Sequence, residues 1–288
     1  MTAADSPPRT AREMLDRGRA FLERKGREEA RLEAELLVAR ALDLDRLRLF
    51  LELDRPLTPA EVARGRELLA RRGRGEPVAY ITGLREFYGR DFAVGTGVLI
   101  PRPETEHLVD RAREIARASG KAPRVAEIGA GSGCIAVTLA LEIEGAEVVA
   151  VERSPAALER ARENAERLSA AVELLEGDGP EALAGREPFD LLVSNPPYVD
   201  PAGRDALPAD VRDHEPAEAL FAPPGDPDHW VRRLLAAAGD LLGADGALLV
   251  ELGEGQGPRA LALASAAGFQ GRLHADLAGI ERVLEATR

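Results

Sequence analysis

The residues best suited to chemistry stand together at Asn195-Pro196-Pro197-Tyr198, directly after the apolar run Phe189-Asp190-Leu191-Leu192-Val193-Ser194. A strand that ends this way gathers a short amide, stiff carbonyls and an aromatic ring at one point. Proline fixes φ and carries no N–H, so the turn is rigid and rich in acceptors. The Asn195 side-chain oxygen and the Pro196 carbonyl can each accept one hydrogen of an –NH2 group, and Tyr198 can lie against a flat π-system. The site suits a planar, weakly nucleophilic nitrogen, such as an amide or a base amine. Alone, the same residues also read as an ordinary proline-rich turn with a half-buried tyrosine.

A second motif lies upstream. Arg124-Val125-Ala126-Glu127-Ile128 reads as an apolar strand, Gly129-Ala130-Gly131-Ser132-Gly133 as a glycine turn, and Ile135 to Leu141 as a helix. Glycines permit positive φ and close approach of a ligand, and the free N–H groups of the helix start face that ligand. A dinucleotide fingerprint would place its third glycine at Cys134. Here it falls at Gly133, and a carboxylate, Glu127, precedes the first glycine. This acid-x-Gly-x-Gly-x-Gly pattern resembles the first motif of class I S-adenosylmethionine methyltransferases.

A second strand, Glu147 to Val151, ends in Glu152, about where an acid binds ribose hydroxyls in a βαβ nucleotide fold. Ser154-Pro155 then reads as an N-cap followed by proline at the first helical position. A third strand, Val172 to Leu175, leads to Gly177-Asp178-Gly179, where an acid can accept from an adenine amine. Singly, Glu152 reads as a surface acid and Asp178 as a turn residue; acids at successive strands point to a nucleoside site. If the glycine turn ends the first strand of the sheet and Asn195 the fourth, a doubly wound topology makes those strands neighbours. Their carboxyl ends then flank the switch point where ligands bind.

The rest of the chain must hold these turns. Its 288 residues allow one large domain or two smaller ones. The first 75 read as a helical bundle: Thr10 to Arg24, Glu28 to Leu42, Leu44 to Leu53, and a helix to about Arg72 opened by the capping box Thr58-Pro59-Ala60-Glu61. Such a bundle serves either as a structural cap or as a face for a partner. Arg71-Arg72-Gly73-Arg74-Gly75 reads as a linker rather than a basic helix end. Residues 76–100, alternating around Gly83, Gly89, Gly95 and Gly97, read as β-hairpins. From 101 to 288 strands alternate with helices, which predicts an α/β, mostly parallel sheet.

Net charge is −12, unevenly spread: residues 1–75 carry 17 Lys and Arg against 14 Asp and Glu, the remainder 21 against 36. An acidic catalytic half argues against tight binding to a phosphate backbone, which needs clustered cations. The single cysteine, Cys134, excludes an internal disulfide and a cysteine-rich metal site, and the four histidines show no ligand spacing. Met1 to Thr10 lacks a basic-then-apolar signal pattern, and no apolar run approaches membrane-spanning length. A soluble cytoplasmic protein is expected.

With these residues read, the chain resembles the bacterial release factor glutamine methyltransferases, the HemK/PrmC family. The resemblance rests on Pro77-Val78-Ala79-Tyr80-Ile81-Thr82-Gly83, Glu86-Phe87-Tyr88-Gly89, Leu99-Ile100-Pro101-Arg102-Pro103-Glu104-Thr105-Glu106, Gly129 to Cys134, Asn195 to Tyr198 and Glu251-Leu252-Gly253. It implies a class I methyltransferase domain with a seven-stranded sheet, a helical N-terminal domain that contacts the release factor, and a connecting hairpin. The implied reaction is methyl transfer from S-adenosyl-L-methionine, leaving S-adenosyl-L-homocysteine, to the side-chain nitrogen of the glutamine in the Gly-Gly-Gln loop of class 1 peptide chain release factors. By the same resemblance Gly129, Ala130, Gly131, Ser132, Gly133 and Glu152 hold the cofactor, with Glu127, Asp178 and Gly179 beside it. Asn195 touches both cofactor and glutamine, and Pro196, Pro197 and Tyr198 complete the substrate pocket. No nucleic acid, membrane or metal partner is implied.

Some positions depart from the family pattern. Glu127 and Glu152 stand where Asp is usual, Gly179 replaces a large side chain often found beside the adenine, and His214-Glu215-Pro216 stands where Tyr-Glu-Pro is common. Phe221-Ala222-Pro223-Pro224-Gly225 replaces a glycine pair. Arg102 and Glu104 are expected at the junction of the lobes with a contact at the pocket rim. Asn-Pro-Pro-Tyr also occurs in adenine-N6 and cytosine-N4 methyltransferases, so a nucleic-acid amine or a ribosomal-protein glutamine stays open as the acceptor.

Overall fold

A computed structural model describes residues 6–288; of the N-terminal stretch read for a signal, residues 1–5 lie outside the described residues. The described chain divides into two compact units, one of residues up to Leu84 together with Ala209–His214, the other of Arg85–Pro208 and Glu215–Arg288.

The first unit is helical. Helices α1 (Ala11–Arg24), α2 (Ala30–Ala41), α3 (Arg46–Leu51), α4 (Pro59–Gly73) and α5 (Val78–Thr82) follow one another. Thr10 caps α1 by accepting the Glu13 N–H, Asp45 caps α3 through Arg48, and Thr58 and Glu61 form a reciprocal capping box at α4. Each such cap stabilises its helix by about 1 kcal/mol. Leu22, Ala34, Leu37, Leu69 and Ile81 share one apolar core. At Gly65 a Cβ would meet the Met14 sulfur at 2.5 Å, so α1 and α4 touch through a glycine.

Two expectations need correction here. Arg71 and Arg72 are the last turn of α4, not a linker. Arg72 is buried, donates to Glu33 at 2.6 Å and lies 3.2 Å from Asp210, while Arg71 pairs with Glu76. Residues 78–82, expected in a hairpin, form α5 instead: Ile81 fills the core of this unit, and Gly83 at φ 77° ends the helix in the left-handed conformation. The helical unit therefore runs to Leu84 rather than to residue 75, and the rest of the 76–100 stretch carries one hairpin among the described residues, β1 (Leu84–Phe87) and β2 (Arg90–Ala93).

The second unit continues with α6 (Glu106–Ser119), β3 (Arg124–Ile128), α7 (Cys134–Glu142), β4 (Glu147–Glu152), α8 (Pro155–Arg167), β5 (Val172–Glu176) and β6 (Phe189–Ser194). After the short helices α9 (Ala209–His214, in the first unit) and α10 (Ala217–Leu220) come α11 (His229–Leu241), β7 (Leu242–Glu251), α12 (Gly257–Ala266), β8 (Gln270–Ala275) and β9 (Glu281–Thr287). The seven strands are ordered β5-β4-β3-β6-β7-β9-β8. β3 to β7 run parallel, and β9 pairs antiparallel with both neighbours.

Period-two alternation sorts the sheet residues. Val125, Val148, Leu191, Val193 and Leu249 face one way and pack with Leu108, Ile135 and Leu139 of α6 and α7. Ala126, Val149, Leu192, Leu248 and Val250 face the other and pack with Val231, Leu234, Leu235 and Ala264 of α11 and α12. With both faces covered, the central strands read as unbroken apolar runs. The chain order turns back between β3 and β6, so their carboxyl ends form the switch point. Among the described residues no helix is long and apolar enough to cross a membrane.

Candidate active site

A cleft opens at that switch point. Gly129 and Gly131 line it from the turn after β3, Glu152 from the end of β4, Asp178 and Gly179 from the turn after β5, and Asn195, Pro196 and Pro197 from the turn after β6. The three strand-end acids and amides that the sequence places on separate segments thus converge.

The glycine turn is held from several sides. Gly129, Gly131 and Gly133 have φ of 82°, 56° and 79°. At Gly133 a Cβ would also meet the Ala161 backbone at 3.2 Å, so no other residue fits without strain. The Gly129 and Ala130 N–H groups donate to the Val151 carbonyl at 2.8 and 3.1 Å. Asn164, fully buried on α8, clamps the turn to β2: its amide donates to the carbonyls of Ser132 and Ala93 at 2.9 Å and accepts the Ala93 N–H at 2.7 Å.

Glu152 is half-buried. One oxygen accepts the Gly131 N–H at 2.8 Å, the other the Ser154 N–H at 2.7 Å. A carboxylate has about four acceptor positions, so two remain for hydroxyl donors in the cleft. Asp178 is exposed at the cleft edge. Beside it, Gly179 sits at φ 82°, and the Arg233 guanidinium occupies the space a Cβ would need, at 2.6 Å. Arg233 donates to the Asp178 carbonyl and to Glu181, and it stacks 4.9 Å from the ring of Trp230, which itself lines the cleft. Trp230 of α11 thus presents a flat ring to the cleft that Gly179 also lines.

Glu127, expected beside the cofactor, does not line the cleft. It is fully buried beneath the glycine turn, where Oε2 accepts the Ala136 N–H at 2.9 Å, one of the unpaired donors of the first turn of α7. Burial holds its carboxyl well above the usual carboxylate range; the Ala136 N–H opposes this and the nearby Glu152 adds to it. Ala130, Ser132 and Gly133 shape the turn without facing the cleft. Burial likewise pushes the Cys134 thiol up to about 12, with Glu127 adding to the effect, and Cys134 packs in the apolar core.

The Asn195 turn is equally fixed. Ser194 Oγ donates to the Ile128 carbonyl at 2.8 Å, tying the end of β6 to β3. Val199 exchanges backbone bonds with Leu220 and Ala222, which pins the following chain. Asn195 Nδ2 donates to Thr105 Oγ1 at 3.1 Å, leaving Oδ1 without that partner. Tyr198 packs its ring on Gly253, where a Cβ would meet it at 2.8 Å, and does not line the cleft; burial pushes its hydroxyl up to about 12. Arg102 pairs with the buried Glu215 at 2.6 Å, and Glu215 also accepts the Ile100 N–H, so Arg102 secures the loop that carries Gly97 and Leu99 to the cleft wall. Among the described residues no cluster of His, Cys, Asp and Glu is placed to hold a metal ion.

Comparison with known proteins shows the family. A family model described as PrmC N-terminal domain matches residues 13–83, and one described as methyltransferase small domain matches residues 105–209. A release factor glutamine methyltransferase of Geobacter sulfurreducens is 46% identical over 276 residues, covering 96% of this chain and 95% of its own. The chain belongs to the release factor glutamine methyltransferases. A second relative so named, from Nitratidesulfovibrio vulgaris, is 40% identical and covers 100% of this chain and 98% of its own. Among solved structures, the T. thermophilus 16S rRNA N2 G1207 methyltransferase in complex with AdoMet and guanosine shares the fold, with a TM-score of 0.50 over 71% of this chain and 50% of that one at 20% identity.

Three residues of the site escaped sequence reasoning. Trp230 and Asn164 lie inside helices, where their only signal is being the chain's single tryptophan and an asparagine among strong helix formers. Thr105 lies in the Pro-Arg-Pro-Glu-Thr-Glu stretch but reveals its role only through its bond to Asn195, 90 residues away.

Proposed function

We propose that this chain methylates the side-chain amide of the glutamine in the Gly-Gly-Gln loop of class 1 peptide chain release factors, using S-adenosyl-L-methionine. One observation carries the reading: the acceptor turn Asn195-Pro196-Pro197 and the nucleoside-type acids Glu152 and Asp178 line a single cleft at the switch point. The family relationship narrows the acceptor to a glutamine. The residues present fit the cofactor: flexible glycines for close approach, free acceptor positions on Glu152 for ribose hydroxyls, Asp178 for an amine, and Trp230 as a flat wall. When bound, S-adenosylmethionine supplies an electrophilic methyl group and departs as S-adenosylhomocysteine.

An amide nitrogen is a poor nucleophile because its lone pair is delocalised. Asn195 Oδ1 and the Pro196 carbonyl accept its two hydrogens and so aim the nitrogen into the cleft. As the nitrogen gains a fourth bond its hydrogens become more acidic, and both hydrogen bonds strengthen in the transition state. Alignment alone is worth up to roughly 7–11 kcal/mol for a well-placed pair. The transfer needs no dedicated base, because the proton can leave to water.

The helical unit holds the release factor in this reading, and the enzyme acts in the cytoplasm on the apparatus of translation termination. The test is mass spectrometry of a purified release factor after incubation with the protein and S-adenosylmethionine. The expected result is one added methyl on the Gly-Gly-Gln glutamine. An unmodified factor beside a methylated ribosomal protein or DNA would replace the reading.

A further inference from the structure

We propose that Thr105 and Glu251 act as positioning residues that set the orientation of the Asn195 amide, so that its oxygen and not its nitrogen faces the cleft. The inference rests on the reading of Asn195 as the acceptor for the substrate amide. Asn195 Nδ2 donates to Thr105 Oγ1 at 3.1 Å, and the Thr105 hydroxyl in turn hydrogen-bonds the Glu251 carboxylate. Thr105 is 2% exposed and Glu251 3% exposed, so bulk water does not compete for either. Glu251 Oε2 has no hydrogen-bond partner of its own.

A hydroxyl has one hydrogen. An ionised carboxylate only accepts, so it draws that hydrogen and leaves the Thr105 lone pairs toward Asn195. Only the –NH2 end of the amide matches them, and Oδ1 is turned to the substrate. Were Glu251 protonated, it could donate to Thr105. The hydroxyl hydrogen would then point at Asn195, and the amide would turn a donor toward a substrate that also brings donors. Two facing donors cannot bond.

The groups that face Glu251 are Glu104, Arg102 and Arg282, with the Tyr198 hydroxyl and Cys134 also in its field. Burial lifts the Glu251 carboxyl to about 7, so the change falls near neutral pH.

The experiment uses the full chain and two readouts. In 15N-labelled protein without substrate, the Asn195 side-chain amide signal, identified by its loss in Asn195→Asp, is followed from pH 5.5 to 8.5. The expected signal moves with a midpoint near 7 in the native protein. It stays fixed in Glu251→Gln and exchanges faster with solvent in Thr105→Val. In methyl transfer to a release factor, Glu251→Gln and Thr105→Val each lose about tenfold or more in kcat, the scale of a misaligned reacting group, while KM for S-adenosylmethionine holds within about twofold. Thr105→Ser, which keeps the hydroxyl, recovers most of the loss of Thr105→Val. An Asn195 signal that ignores pH, or that titrates unchanged in Glu251→Gln, overturns the inference. So does native kcat in both Glu251→Gln and Thr105→Val. A native protein that leaves release factors unmodified, yet shows the Glu251-linked signal, overturns the functional reading and upholds the orientation.

Discussion

Glu152 Oε2 accepts the N–H of Gly131 at 2.8 Å, so the acid that ends β4 also shapes the glycine turn that ends β3. One side chain therefore has two duties toward a nucleoside: it offers free acceptor positions to ribose hydroxyls, and it fixes the turn beside them. Removing both duties should act on binding before chemistry. Glu152→Ala is expected to weaken S-adenosylhomocysteine binding by about 10- to 100-fold, the range of one lost charged hydrogen bond. Isothermal titration reads this directly, and an unchanged affinity excludes the ribose role.

Asn195 makes the opposite demand. Its Oδ1 is proposed to bond the substrate most strongly when the nitrogen is becoming pyramidal, so its loss should be felt in turnover. Asn195→Ala is expected to lower kcat by at least about 100-fold, the scale of one lost transition-state hydrogen bond, with cofactor affinity largely kept. Single-turnover methylation of a release factor measures it; near-native turnover would remove Asn195 from the mechanism.

Trp230 gives a prediction that reads itself out. It is the only tryptophan in the chain, and it lines the cleft beside Asp178 and Gly179. Cofactor binding should quench its fluorescence. Trp230→Ala should weaken binding by roughly 1–3 kcal/mol, as for one lost base-stacking ring, and Trp230→Phe should restore most of it. Arg233 gains from the same ring, so Trp230→Ala also frees a guanidinium that now stands where a larger residue 179 would be. Emission that is indifferent to saturating cofactor would place the adenine elsewhere.

What the sequence made legible was local. Gly129 to Gly133, Ser154-Pro155 and Thr58 to Glu61 each announce a turn or a cap within a few residues, and each forms as written. Asn195 and the glycine turn could be joined because parallel α/β topology leaves few choices for which strands are neighbours. What stayed hidden was long-range pairing. Arg72 reads as a linker cation until Glu33 and Asp210 are found beside it. Val78 to Thr82 is too short and too apolar for periodicity to separate helix from strand; the core around Ile81 decides it. Glu127 looks like a cofactor acid from its place before Gly129, and only its burial shows that it serves the first turn of α7.

That burial has a consequence for stability. In the unfolded chain Glu127 ionises in the ordinary carboxyl range, while in the folded chain burial keeps its proton on to a much higher pH. Between those two points the folded state holds more protons than the unfolded state, so the contribution of this group to stability falls as pH rises. Glu251, lifted to about 7, acts in the same direction until that pH and then levels off. Acids with lowered values, such as Glu35, Glu61 and Glu285, work the other way but only below the ordinary carboxyl range. From about pH 5 upward the raised acids therefore set the slope, at about 1.4 kcal/mol per pH unit for each group ionised only in the unfolded chain. Glu127→Gln keeps an oxygen for the Ala136 N–H and removes the titration. Its melting temperature is expected to fall less than that of the native protein between pH 5.5 and 8.5, by about 3–6 °C per pH unit for a unit of this size. Thermal melts across that range, followed by circular dichroism, give the two slopes; parallel slopes would mean that Glu127 is ionised in the folded state.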